Sequence, residues 1–157
     1  MTQNSTISLN GEWQLTNLSD NRSYPGVVPG CVHSDLLRNE IIPDPYYRKN
    51  ELDLQWIGET DWKYERVFTI DKHFLADHSM ILKCDGLDTF AEIVINGKAV
   101  AKTDNMFITY KIPIKEYLLA GENKIEFIFT SVLPYMKKRN AERHLGVGEK
   151  KIKIISD

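Results

Sequence analysis

Residues 62–70 read WKYERVFTI, and polar and apolar side chains alternate along this stretch. The apolar positions on one side are Trp62, Tyr64, Phe68 and Ile70, and Lys63, Glu65 and Thr69 lie on the other side. Successive side chains of a β-strand point to opposite faces of a sheet. The alternation therefore predicts a strand with one buried face and one solvated face, and it points to a sheet protein.

Further alternating stretches lie on both sides of this strand. They cover residues 9–15, 80–84, 91–95, 98–102, 107–114 and 124–130. Asn96-Gly97 accepts the positive φ angles of a type I′ turn, so residues 91–102 are predicted to form a hairpin. Pro113 near the end of its stretch predicts a sheet edge, and residues 121–123 predict a turn. Many short strands with few helical stretches predict an all-β fold, an antiparallel β-sandwich or jelly roll.

The segment before Trp62 has a different character. Residues 19–30 hold two prolines, two glycines and several small polar residues, so a loop is predicted there. Ser34 is placed to cap one short helix near residues 34–41, and Pro43 ends it. Residues 43–60 are predicted to form a long ordered loop, and such loops inside compact domains are usually functional.

Length and charge limit the classes of function. The 157 residues predict a single domain over 1–157. Twenty basic and 22 acidic residues give a net charge of −2, which argues against nucleic acid or an anionic membrane as partner. No apolar run approaches the roughly 20 residues of a membrane span, and no signal peptide is visible, so a cytoplasmic location is expected. No phosphate loop or dinucleotide fingerprint is present, and no cofactor is predicted.

The two cysteines predict neither a metal site nor a fixed pairing. Cys84 alternates with Met80 and Leu82, which favours a buried free thiol. A Cys31–Cys84 disulfide is the alternative in an oxidising compartment. His33 beside Cys31 falls short of the three or four ligands that a metal ion needs.

Aromatic side chains on the long loop are the best candidates for binding. A sugar presents apolar C–H faces ringed by hydroxyls, so sugar sites combine aromatic planes with a few polar groups. Tyr46, Tyr47 and Trp56 form a possible aromatic platform. The loop acids are Glu51, Asp53, Glu59 and Asp61. We expect them to serve as solvated turn formers rather than as a catalytic pair, with Asp61 bonded to loop backbone and Arg48 paired with one of the acids.

The order of these motifs resembles the glycoside hydrolase family 2 enzymes. The matching pieces are residues 9–13, 62–68, 82–97 and 121–123. Residues 29–37 (PGCVHSDLL) and 44–51 (DPYYRKNE) look specifically like the β-mannosidases of that family. The resemblance covers about residues 9–136, most of the chain.

This resemblance implies a galactose-binding-domain-like jelly roll that is the N-terminal, non-catalytic domain of a larger glycosidase. It packs beside a (β/α)₈ barrel that carries two catalytic glutamates and cleaves terminal β-D-mannosides with retention. Both glutamates lie outside this chain, so the chain alone is expected to be inactive. By analogy with the family, Asn50, Glu51 and Trp56 are expected at the edge of the substrate pocket.

The last part of the chain departs from the family pattern. Residues 137–157 lack the tryptophan-rich continuation of β-mannosidases. Residues 137–145 predict a helical turn or a loop, and residues 150–155 predict one more short strand.

Two other classes of function stay open at this point. One is a stand-alone carbohydrate-binding module that uses Tyr46, Tyr47 and Trp56. The other is a purely structural sandwich that exposes an apolar patch where the barrel docks.

Overall fold

A computed structural model describes residues 6–76 and 79–143. The described residues form antiparallel strands in two sheets, and the predicted β-sandwich is confirmed. The strands are β1 Gly11–Asn17, β2 Ser23–Val28, β3 Trp62–Ile70, β4 Ile81–Cys84, β5 Phe90–Ile95, β6 Lys98–Thr103, β7 Tyr110–Pro113 and β8 Gly121–Thr130. The larger sheet has the order β2-β1-β3-β8-β5-β6, and β4 pairs with β7 in the smaller one.

The core is built from the inward positions of the alternating strands. Trp62, Tyr64 and Ile70 of β3 are buried, as the period of two predicts. The same apolar cluster takes in Leu82 and Cys84 of the smaller sheet. On the other face of β3, Lys63 lies 2.5 Å from Glu65 in an ion pair. The local alternation therefore sets which face of each strand is buried.

The predicted hairpin forms at Asn96-Gly97, where the two φ angles are 51° and 77°. The Asn96 side chain also connects strands beyond the turn. Its Nδ2 donates to the side-chain oxygen of Asn123, and its Oδ1 accepts from the backbone N–H of Lys124. The turn residue thus ties the hairpin to β8.

Residues 19–30 are not all loop, and this prediction was wrong for β2. Residues 23–28 pair with β1 along the edge of the larger sheet. Pro25 is tolerated because an edge strand does not need every N–H for pairing.

Two other strands begin at residues other than those predicted. Strand β8 already begins at Gly121, within the predicted turn, and β7 begins at Tyr110 rather than at Phe107.

The predicted helix near 34–41 is present as α1, Val32–Arg38. Cys31, and not Ser34, occupies the cap position. Ser34 lies inside the first turn, where its Oγ accepts from the Cys31 N–H and donates to the Cys31 carbonyl. Ile41 lies beyond the helix. Ser34 therefore stabilises the helix start from within.

The remaining helices are short, apart from the last one. They are α2 Asn50–Asp53, α3 Trp56–Glu59, α4 Lys72–Leu75, a 3₁₀ turn at Lys115–Tyr117 and α5 Leu133–Arg143. The stretch predicted as a long ordered loop thus contains two helical turns. Residues 137–143 belong to α5, whereas the strand predicted at 150–155 lies outside the described residues. No helix within the described ranges is long and apolar enough to cross a membrane.

Candidate functional site

The strand register brings several loops to one end of the sandwich, here called the loop end. Trp62 at the start of β3 pairs with Phe129, and Phe90 at the start of β5 pairs with Thr130. Strand β6 ends at Thr103, which pairs with Ala91 near the same end of the sandwich. The connections that meet here are residues 43–61, 85–89, 104–109 and the start of α5. Since neighbouring strands lie about 4.8 Å apart, Trp62 and Thr103 are roughly 14 Å apart.

Residues 43–61, the platform loop, are folded by turns and by two buried side chains. Asp44 begins the loop with an Asx turn, in which its Oδ1 accepts from the Tyr46 N–H at 2.9 Å. Leu54 and Ile57 are buried in the core. The indole N–H of Trp62 donates to the Ile57 carbonyl at 2.9 Å. The loop is therefore an ordered part of the domain.

Asp61 fixes the end of this loop to the segment that follows β8. Its Oδ1 accepts from the Ser131 N–H at 2.8 Å, and the Ser131 hydroxyl donates to the Gly58 carbonyl at 2.7 Å. The prediction that Asp61 bonds to the backbone of its own loop was wrong in its partner. Its partner lies about 70 residues away along the chain rather than inside the loop. The acid therefore joins the platform loop to the beginning of α5.

The five candidate binding residues all lie on the platform loop, in different settings. Tyr46 is 96% exposed and Tyr47 is 57% exposed. Trp56 is 37% exposed and packs against Trp62, with ring centroids 6.1 Å apart. Asn50 donates its side-chain N–H to the Asp44 carbonyl, so it also holds the loop, and Glu51 is exposed.

Arg48 and the loop acids are arranged differently from expectation. The Arg48 guanidinium lies 5.1 Å from the centroid of the Tyr47 ring, a cation–π contact. Within the described residues it makes no ion pair with a loop acid, so the predicted pairing was wrong. Glu51, Asp53 and Glu59 are exposed. In the part of the chain that the structure describes, no group of three side chains is placed to hold a metal ion.

Sequence reasoning missed a group of apolar residues across the loop end. Met106, Phe107 and Ile108, here called the apolar tip, connect β6 to β7 and are exposed, with Phe107 at 87%. Residues 107–109 were predicted as strand, because Ile108 is in phase with Tyr110 and Ile112 of β7. Asp104-Asn105, a pair of turn formers just before it, is the sequence signal that could have revealed the tip.

Sequence reasoning also missed a buried carboxylate that ties α1 to the sheet. Asp35 is fully buried. It accepts from the Tyr64 hydroxyl at 2.6 Å, the Arg38 guanidinium at 2.7 Å and the Val27 N–H at 3.1 Å. Burial, followed by the hydrogen bond to Asp35, raises the pKa of Tyr64, so its hydroxyl stays a donor. The i,i+3 spacing of Asp35 and Arg38 is visible in the sequence, but the burial is not.

The family model described as glycosyl hydrolase 2 galactose-binding domain-like matches residues 13–155. The chain belongs to this family. Two similar relatives are the β-mannosidases of Capra hircus, 39% identical over 139 residues, and Mus musculus, 38% identical over 130 residues. These matches cover 88% and 83% of this chain but only 16% and 15% of the relatives. The chain thus spans about one sixth of the curated relatives it matches.

Solved structures agree with this membership of the glycosyl hydrolase 2 family. The β-D-mannosidase of Dictyoglomus thermophilum superposes with a TM-score of 0.83 at 41% identity. That match covers 86% of this chain and 17% of the other. The exo-chitosanase CsxA of Amycolatopsis orientalis superposes with a TM-score of 0.70 at 17% identity, over 80% of this chain and 17% of the other, and shows the shared fold alone. The resemblance inferred from the motifs is confirmed.

Within this family domain, the roles of the loop residues stay predictions. Asn50, Glu51 and Trp56 are predicted at the pocket edge, and Tyr46 and Tyr47 as an aromatic platform. The structure adds that the Tyr46 side chain is almost fully exposed. The Trp56 ring packs against Trp62, so only part of it is accessible to a ligand.

Both cysteines are free thiols, Cys31 exposed and Cys84 buried, as the favoured interpretation predicted. Burial, and then the nearby charge of Asp85, raises the pKa of Cys84 to about 11 from the usual 9.0. We expect a thiol reagent at pH 8 to label Cys31 in the native protein, and Cys84 only after unfolding. Labelling followed by mass spectrometry measures this. Fast labelling of Cys84 in the native protein would contradict it.

The same pKa shift predicts how stability depends on alkaline pH. The unfolded protein loses the Cys84 proton near pH 9, whereas the folded protein holds it to about pH 11. This contribution to the free energy of unfolding is therefore complete below pH 9 and is lost as the pH rises towards 11. Urea unfolding of both Cys84→Ala and the parent chain, each at pH 8 and at pH 10.5, measures how the free energy of unfolding changes with pH in the two proteins. A pH slope that is unchanged by the substitution would contradict the prediction.

Proposed function

We propose that this chain is the non-catalytic N-terminal β-sandwich of a β-mannosidase, an enzyme that hydrolyses terminal β-D-mannosides with retention. The catalytic (β/α)₈ barrel and its two glutamates lie outside the chain. The sandwich supports the barrel, and its loop end forms one wall of the substrate pocket.

One observation carries this proposal. The chain is 41% identical to the β-D-mannosidase of D. thermophilum over 86% of its length, and it covers only 17% of that protein. A glycosidase of similar fold but different name is much less similar: the β-glucuronidase of D. thermophilum is 22% identical. Identity that is concentrated on β-mannosidases favours a mannoside as the substrate over other β-glycosides.

The platform loop supports the role of a pocket wall. It presents Tyr46, Tyr47 and Trp56 outward while buried leucine and isoleucine side chains hold it in place. A rigid, aromatic surface of this kind suits the apolar face of a sugar ring. Glu51 is exposed on the same loop and can accept hydrogen bonds from sugar hydroxyls.

The test compares the product of the full reading frame with residues 1–157 alone. We expect the full product to hydrolyse p-nitrophenyl β-D-mannoside, with the β anomer of mannose as the first product seen by NMR. The chain alone is expected to give no turnover. Enzyme-like turnover by residues 1–157 would contradict a non-catalytic role. A full product that cleaves another β-glycoside but not the mannoside would reject the substrate.

A stand-alone carbohydrate-binding module is the second candidate, and the 96% exposure of Tyr46 is the observation that favours it. Calorimetric titration of residues 1–157 with β-mannosides separates the two functions. Affinity that is lost in Trp56→Ala and Tyr46→Ala, but kept in the distant control Leu119→Ala, supports the binding module. Absence of binding by the parent chain supports the wall of a composite pocket.

A cytoplasmic location is part of the proposal. The two free thiols support it, because reducing compartments keep cysteines unpaired. Cell fractionation with an antibody against the domain tests it, and recovery from the culture medium would contradict it.

A further inference from the structure

The apolar tip exposes three large apolar side chains that lie outside the core cluster of the described residues. Phe107 is 87% exposed, Ile108 is 45% exposed and Met106 is 38% exposed. Single exposed apolar residues are ordinary, but a contiguous group on a monomer marks an interaction site. The tip is such a group.

The tip is held in its exposed position by hydrogen bonds. The Tyr110 hydroxyl accepts from the N–H groups of Asp104 and Asn105, and the Asn105 side chain accepts from the Phe107 N–H at 2.9 Å. Thr109 donates to Asp85 on the neighbouring loop at 3.1 Å. These bonds order the tip in advance, which lowers the entropy cost of binding a partner.

The chemistry of the tip suits a protein surface better than a sugar. A sugar site needs free polar groups for hydroxyls, yet the side-chain oxygens of Asn105 and Tyr110 already accept bonds within the domain and the Thr109 hydroxyl already donates one. Phenylalanine and methionine are enriched at the cores of protein interfaces. A single aromatic anchor that enters a pocket commonly carries much of the binding energy.

The position of the apolar tip indicates that its partner is the remainder of the same polypeptide. The chain covers 16% of its Capra hircus relative and 17% of the D. thermophilum enzyme, so most of such a protein lies outside the chain. The tip follows Thr103 on the loop end, and Thr103 lies roughly 14 Å across the sheet from Trp62 at the start of β3. A catalytic part that covers the platform loop therefore reaches the tip as well.

We infer that the apolar tip is the anchor by which this domain docks on the catalytic part of its own polypeptide, with Phe107 entering a pocket there. This inference rests on the proposed function for the identity of the partner. It adds a defined docking surface, distinct from the candidate sugar-contact residues 46–56.

Photo-crosslinking in the full-length product tests the contact directly. A benzoylphenylalanine at position 107 is expected to crosslink to residues beyond 157 of the same polypeptide, as mapped by mass spectrometry. The matched control is position 119, because Leu119 is also exposed (59%) but lies near the opposite end of the sheet, where its N–H bonds to Asn123. Crosslinks from 107 only between two copies, only within residues 1–157, or absent altogether would overturn the inference.

A second variant gives an independent measure of docking. Because Phe107 is exposed, Phe107→Ala is expected to leave the stability of residues 1–157 unchanged, with no resolvable shift in Tm. In the full-length product the same change is expected to lower the Tm of the sandwich by several degrees, whereas Leu119→Ala is not. Equal Tm values for the parent and Phe107→Ala full-length proteins would overturn the inference.

The two proposals fail in distinguishable ways. A full-length product that crosslinks from 107 into its downstream part but cleaves no β-mannoside keeps the docking surface and rejects the activity. A product that cleaves β-mannosides without such crosslinks keeps the activity and rejects the docking surface.

Discussion

We expect Asp35→Ala to lower the free energy of unfolding by about 3 kcal/mol, because the change leaves buried donors without an acceptor. The Val27 N–H and the Tyr64 hydroxyl both donate to this carboxylate, and both lie at the junction of α1 with the sheet. An unsatisfied buried polar group costs roughly 1–3 kcal/mol. Urea unfolding followed by circular dichroism measures the loss.

Two control variants separate the buried network from simple loss of charge. Glu51→Ala removes an exposed acid and is expected to stay within about 0.5 kcal/mol of the parent. Tyr64→Phe removes a single hydrogen bond and is expected to cost about 1 kcal/mol. A loss below 1 kcal/mol in Asp35→Ala would show that the network does not hold α1 on the sheet.

Trp62→Ala is the second large effect, with an expected loss of about 4 kcal/mol. Truncation of a buried tryptophan typically costs 3–5 kcal/mol, because it removes apolar contacts and leaves a cavity. Trp62 is 3% exposed, supports the Trp56 ring and donates its indole N–H to Ile57. The change therefore weakens the core and removes one attachment of the platform loop.

Limited proteolysis reports the release of the loop separately from global stability. Arg48 and Lys49 provide trypsin sites on the platform loop, and we expect cleavage there to be faster in Trp62→Ala than in the parent chain. Trp62→Phe keeps one aromatic ring but removes the indole donor and part of the buried ring volume, so it is expected to cost about 1–2 kcal/mol. Unchanged cleavage at Arg48 in Trp62→Ala would mean that the loop is anchored elsewhere.

The candidate site could be predicted only in part. Sequence reasoning placed Tyr46, Tyr47 and Trp56 on a loop next to β3, because proline and turn formers surround them and a core role was not evident. It could not foresee that the apolar tip shares the loop end with them. That neighbourhood depends on the order of four strands across the sheet, and strand order is a property of long-range pairing.

The sequence alone determined the strand class, the buried face of β3 and the hairpin at Asn96-Gly97. These features follow from side-chain alternation and from local φ preferences, which act between near neighbours in the chain. Only the tertiary structure decided that residues 23–28 form an edge strand and that Asp35 is buried. The edge strand exists because β1 offers it hydrogen-bond partners. Asp35 is buried because Val27 on that edge strand and Tyr64, 29 residues away in sequence, supply donors to it.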